Sequence, residues 1–275
     1  MKKFLFIALA MVAAMTVSCK NNNKRIENND ATEKVVEAAK TILTDDVLAT
    51  IDEYGQIYLD ECGNYDIQKF ITSHLTDEEK MVKPDYLLDP AQTSGFVTKS
   101  QKFAALAILS SERTIREACG MPVEKSVEAQ VHLALDLNYP INTDELKDWK
   151  TSDKIRRLYE VCKERGELVY FWQLNSAFMT EFLYLMVCNP DLFINNITDE
   201  QWSSFKKRYD SFLRTVRILA EYDEEMATIM NIIKETSSVS SDEEVSEIFA
   251  TKESGIHRLL EDKDKYIARR NALLK

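Results

Sequence analysis

Apolar positions step by three and four along most of this chain. Residues 202, 205, 209, 212, 216, 219, 223, 226, 230 and 233 follow that spacing, and nine of the ten are apolar, with Asp223 the exception. The spacing predicts one long helix with a coiled-coil-like seam. An earlier stripe runs through Val36, Ala39, Leu43, Val47, Ile51, Tyr54, Tyr58 and Cys62. A later one runs through Val245, Phe249, Ile256, Leu260 and Ile267. Residues 151–188 begin amphipathic, at Ile155, Leu158 and Cys162, and turn apolar on nearly every side after Gly166. A helix that is apolar all round must be surrounded, so 167–188 is expected at the centre of the molecule.

Start and stop signals frame these stripes. Thr76-Asp-Glu-Glu79, Thr198-Asp-Glu-Gln201 and Ser241-Asp-Glu-Glu244 fit the capping box, and Thr143-Asp-Glu145 is a looser start. Gly63, Gly120 and Pro190 read as stops. Residues 151–188 and 198–236 are joined by a short connection, which predicts antiparallel neighbours with Phe212 and Val216 buried between them. Residues 83–100 carry Pro84, Pro90 and Gly95 and show no clear element. Tyr86, Leu87, Leu88 and Phe96 should anchor that stretch as short turns on the bundle. Alternating strand runs and fixed-period repeats are both missing. The expected fold is all-α, an irregular multi-helix bundle of long antiparallel helices.

Composition agrees with that class. Six Gly and five Pro are too few for a turn-rich β fold, and 45% hydrophobic residues supply an ample core. The formal net charge is −11, from 35 basic and 46 acidic residues. So acidic a chain repels nucleic acid, which is therefore not an expected partner.

The first nineteen residues have a different character. Lys2 and Lys3 precede an uncharged apolar run from Phe4 to Ala14, and Thr16-Val17-Ser18-Cys19 follows. The run is too short to span a bilayer and has the layout of a signal peptide. Ending on Cys, it resembles a bacterial lipoprotein signal, with Thr16 where that class more often has Leu. The resemblance implies removal of residues 1–18 and lipid attachment to Cys19. Removing Lys2 and Lys3 would leave 33 basic residues against 46 acidic, a net charge of −13. Residues 19–30 then form the lipidated Cys and a polar tether, and 31–275 a single helical domain. Two or more acyl chains anchor stably, since each buried methylene adds about 0.8 kcal/mol. The expected location is the cell envelope, at the outer membrane on its periplasmic side.

Candidate chemistry is sparse. Nucleophile elbows, phosphate-binding Gly-rich loops, His-Glu-x-x-His and EF-hand loops are all missing, so no catalytic residue and no cofactor is expected. Glu128, His132 and Asp136 form one helical row, and Glu253, His257 and Glu261 another. Imidazole and carboxylate in a row could ligate a metal between helices, so His132, Asp136, His257 and Glu261 are the candidate ligands. Surface charge pairing accounts for the same spacing, and no metal is expected. Ser254-Gly255-Ile256-His257 resembles part of the Gly-x-His-x-x-Glu motif of imelysin-like lipoproteins. The acid here is at +4, so that family is not carried over.

Two carboxylates interrupt apolar faces, Glu181 in the central helix and Asp223 in the seam. Each must be paired, or open to solvent, or line a polar pocket. Cys62, Cys119, Cys162 and Cys188 allow three disulfide connectivities, of which Cys62–Cys119 joins two expected helix ends. The reading that follows is a membrane-anchored, non-enzymatic binding or scaffold domain with a protein or glycan partner. The alternative is an enzyme or small-ligand binder with a pocket around Glu181 and Asp223.

Overall fold

A computed structural model describes residues 43–62, 67–141, 151–237 and 247–275. The signal peptide, Cys19, the tether, Val36, Ala39, Gly63, Val245 and the starts at Thr143 and Ser241 lie outside the described residues. The described helices belong to one compact unit, Ile42–Lys275. They are α1 (Asp45–Cys62), α2 (Ile67–His74), α3 (Asp77–Met81), α4 (Lys99–Ala118), α5 (Glu124–Asp136) and α6 (Thr151–Glu164). After these come α7 (Leu168–Cys188), α8 (Pro190–Asn196), α9 (Asp199–Leu219), α10 (Glu224–Glu235), α11 (Lys252–Glu261) and α12 (Lys263–Leu273). A 3₁₀ turn spans Pro90–Gly95, and no strand occurs among the described residues.

Helix α7 is the central one. Of its 21 residues, 18 are buried, as an all-round apolar sequence requires. It packs against α4, α6, α8, α9, α10, α11 and α12. Gly166 ends α6 and does not merely weaken it. At φ +68° it takes the left-handed turn that a glycine adopts without a side-chain clash. The Glu167 amide donates back to the Cys162 carbonyl at 2.7 Å, closing the turn. At the other end Asn189 and Pro190 bend the chain by 91° into α8. Among the described residues no single helix is long and apolar enough to cross a membrane.

The seam from 202 to 233 is buried as expected, with Phe212 at 1% and Val216 at 0% exposure. Two details differ. The stretch is two helices, because Asp223 breaks it. Its carboxylate accepts the Met226 amide at 2.9 Å and caps α10. The spacing survives the break because both helices bury their faces in one cluster. Helix α9 also packs chiefly on α1, touching α7 through the stacked Phe182–Phe205 rings at 5.2 Å.

Capping boxes close the starts of α3 at Thr76 and α9 at Thr198. Two further boxes, Thr98 with Gln101 and Thr251 with Ser254, start α4 and α11. Leu88 is buried, and Tyr86, Leu87 and Phe96 are half-buried against the core, so the stretch before α4 is anchored as its side chains suggested. The four described cysteines are free thiols, including Cys62 and Cys119.

Candidate functional site

Glu181 sits in the middle of α7 and is fully buried. Its Oε2 accepts the Arg270 Nε–H at 2.6 Å from α12. The same guanidinium donates to Glu112 Oε1 at 2.7 Å in α4 and lies over the Tyr184 ring at 4.3 Å. Arg116, one turn beyond Glu112, completes the group at 3.1 Å. Two carboxylates and two guanidiniums thus share one buried site. Glu112 and Arg116 also hold backbone. The Leu88 amide donates to both Glu112 oxygens at 2.8 and 2.9 Å, and the Leu88 carbonyl accepts from Arg116. An irregular segment buried against a bundle leaves polar backbone without water, and here the ion pairs satisfy it.

The two acids are unequally served. Glu112 has three donors, the Leu88 amide, Arg116 and Arg270, whereas Glu181 Oε1 has no hydrogen-bond partner among the described residues. Burial pushes the Glu181 carboxyl upward, Arg270 opposes that, and the Glu112 charge adds to it. Arg270 moves the other way. Burial disfavours its charge, yet the two carboxylates outweigh burial and push it further up. The cation is therefore secure, and Glu181 is the group under tension. This arrangement clamps three elements together and leaves Glu181 committed to Arg270.

The other sequence candidates are dispersed. Asp223 is a helix cap. His132 is exposed on α5, and Asp136 pairs with Lys102 at 2.6 Å. His257 is exposed on α11, and Glu261 pairs with Arg258 at 3.0 Å. No group of three metal-ligating side chains that could hold an ion occurs among the described residues. Gly255 has a packing role, since a Cβ there would lie 2.0 Å from Trp202 Cζ2.

A concave site does occur elsewhere, at the meeting of α4, α5 and the α6–α7 turn. This pocket encloses about 460 Å³ and is lined by Lys99, Lys102, Asp136, Arg165, Glu167 and Tyr170, among others. Local sequence explains its walls. Asn138, at φ +50°, and Gly166, at φ +68°, end α5 and α6 in left-handed turns. Their following amides, from Tyr139 and Glu167, return to the Ala134 and Cys162 carbonyls at 2.9 and 2.7 Å. The first turns of α4 and α7 arrive at the same place. Helix α4 is capped by Thr98, whereas α7 starts at Glu167 with no side-chain cap.

Tyr170 is 8% exposed, and its ring meets Phe103 edge-on at 4.6 Å. Its hydroxyl is buried and has no hydrogen-bond partner among the described residues. Burial, helped by nearby Tyr139 and Cys162, pushes it well above the ordinary phenol range, so it remains a neutral donor. Lys102 is neutralised by Asp136. Lys99 lies over the Phe103 ring at 5.8 Å.

Compared with protein-family models, curated proteins and solved structures, the chain matches none.

Proposed function

We propose that this chain is a lipid-anchored binding protein of the bacterial cell envelope. Cys19 carries the lipid, residues 20–30 tether the body, and the helical domain faces the periplasm from the outer membrane. A protein or glycan partner engages the domain at the pocket between α4, α5 and the α6–α7 turn. The observation that carries the binding half is that pocket: its volume lies within the range of small-ligand sites, and its charged lining opens to solvent. The anchoring half rests on the order of Lys2, Lys3, the apolar run and Cys19. The carboxylate-pocket alternative draws no support from side chains already committed, Glu181 to Arg270 and Asp223 to the Met226 amide.

Two experiments separate the halves. Radiolabelled palmitate should enter the wild-type chain and not Cys19→Ala, and equal labelling would sink the anchor. A photo-crosslinking residue at Val97, on the pocket lining, should trap a discrete adduct in cells, while one at exposed Ile57 should not. Indistinguishable patterns at the two positions would remove the binding reading.

A further inference from the structure

We propose that Cys119 and Cys188 are a reversible thiol pair, closing to a disulfide inside the native bundle by exchange with a small disulfide such as oxidised glutathione. Both are thiols in this structure. The pairing lies outside the partner-binding reading and does not depend on it.

Helix register carries the pairing. Helices α4 and α7 run parallel. Phe103 meets Tyr170 edge-on at 4.6 Å near their starts, and further along Glu112 and Glu181 accept from the same Arg270 guanidinium at 2.7 and 2.6 Å. Cys119 follows Glu112 by seven residues, and Cys188 follows Glu181 by seven. That step is about two turns, or roughly 10 Å of rise, so each cysteine lies on the face of its own glutamate and level with the other. Both positions are still helical. The Cys119 amide donates to the Ile115 carbonyl at 3.0 Å, and Cys188 is the last residue of α7. Packed helices lie about 8–10 Å apart axis to axis, and each Cα stands about 2.3 Å off its axis. Residues facing across such a seam come within the roughly 7 Å between Cα atoms that a disulfide allows.

Tyr86, from the stretch before α4, marks the same place. Its hydroxyl donates at 3.3 Å to Asn189, the neighbour of Cys188, and its ring meets Tyr184 edge-on at 6.3 Å. Burial pushes that hydroxyl up to about 12, and Cys188 and Cys119 both add to the push, which sets the two thiols around one phenol.

The other cysteines are out of register. Helices α1 and α6 run antiparallel, with Asp52 taking Tyr159 and Lys163, and Asp60 taking Arg156. Cys162 is therefore level with Asp52, about 15 Å along α1 from Cys62. The Cys162 carbonyl accepts the Glu167 amide at the start of α7, about 30 Å from Cys188 at its end.

Cys188 is half-buried and Cys119 buried, so Cys188 meets the oxidant first. Its thiolate attacks one sulfur of oxidised glutathione, releasing one glutathione thiol and leaving a mixed disulfide. The Cys119 thiolate then attacks the Cys188 sulfur, forms the Sγ–Sγ bond and releases the second glutathione. The protein loses two electrons and two protons, and glutathione disulfide takes up both. Burial pushes both thiols up, which makes the exchange slow at neutral pH.

The test equilibrates the full-length chain in mixtures of reduced and oxidised glutathione, traps thiols by alkylation in denaturant, and maps unreduced peptides by mass spectrometry. One linked pair, Cys119 with Cys188, should appear as the oxidised fraction rises, lighter by the two hydrogens lost, and dithiothreitol should reverse it. Cys62 and Cys162 should remain alkylated. Closing so long a loop should raise the melting temperature by roughly 10 °C, a rise absent from Cys119→Ser and Cys188→Ser. Cys188→Ser, at the half-buried site, keeps this comparison should Cys119→Ser fail to fold. Alkylation of both thiols in the most oxidising mixture overturns the inference. So does glutathione retained on Cys188 without closure, or a different pairing. A Cys119–Cys188 link with no rise in melting temperature also overturns it, because closure would then work against the native packing.

Discussion

Replacing Arg270 with Met tests whether the buried ion cluster holds the bundle together. Met keeps an unbranched apolar stem and removes the guanidinium, with its contact to the Tyr184 ring and both charged hydrogen bonds. Glu112 keeps Arg116 and the Leu88 amide. Glu181 keeps no hydrogen-bond partner among the described residues. A carboxylate with no partner at zero exposure cannot stay ionised, so the fold must protonate it. From its ordinary value of 4.5, protonation at pH 7 costs about 3.4 kcal/mol at roughly 1.36 kcal/mol per pH unit. That cost is already present in the wild type, where burial raises Glu181 to about 8 despite Arg270. Removing Arg270 therefore adds little protonation cost. It removes the bonds to Glu181 and Glu112 and the contact with Tyr184, and the expected loss is about 3 kcal/mol, the scale of removing one partner of a buried pair. Wild type and variant carry the same protonation cost at pH 5 and at pH 7, so the loss should be nearly equal at both. Urea unfolding followed by far-UV circular dichroism at both pH values measures it. A loss under about 1 kcal/mol at pH 7, or a loss that differs by more than about 1 kcal/mol between the two pH values, would refute the reasoning.

Three further outcomes are expected. Glu181→Gln keeps an acceptor for Arg270 and removes the titrating group. A carboxyl raised in the fold stabilises fully below its ordinary 4.5, and that contribution is lost as pH rises through the folded value. The variant should flatten this decline, which urea midpoints between acid and neutral pH would reveal; an unchanged slope would mean that Glu181 is not its source. Asp223→Ala should cost about 1 kcal/mol, the scale of a lost helix cap, and Asp223→Asn much less. A loss of several kcal/mol in Asp223→Asn would point to a buried charge role instead. Gly255→Ala should destabilise by roughly 1–3 kcal/mol, because the new methyl meets Trp202, whose indole nitrogen donates to the Phe249 carbonyl at 3.2 Å. Thermal melting with tryptophan emission reads both the loss and the ring's displacement, and an unshifted melting point would contradict the packing.

The helical class and the central helix were legible because they depend on local periodicity. Residues 168–188 are apolar on every side, and only a surrounded helix tolerates that. The break at Asp223 was harder to see. Asp223-Glu224-Glu225 is an acidic start signal like Thr198-Asp199-Glu200, but it falls on the seam spacing, so periodicity overrode it. Two helices buried in one cluster can keep a common spacing across a tight turn, and the pattern alone does not distinguish them from one. Partner choice was also beyond reach. The stripe of α9 had to be covered, yet nothing local says that α1 covers more of it than the helices adjacent in sequence.

Site legibility divides along the same physical line. Glu181 was visible as a charge on an apolar helix, and its need for a cation follows from desolvation alone. The identity of that cation was also written in spacing. Ala105, Leu109, Glu112 and Arg116 share one face of α4, and Tyr266, Arg270 and Leu273 share one face of α12, all of them buried. Charged residues inside an apolar stripe are the signal, and three helices carrying such charges must bring them together or leave them unpaired. The pocket carries no comparable signature. Its lining comes from residues 97–102, 136–138 and 165–170, each an ordinary helix end by itself. Surface lysines and arginines cost nothing to expose, so no local penalty marks them. They form a pocket only once four helix ends are assembled at one place, so the pocket is a consequence of packing and not of any motif.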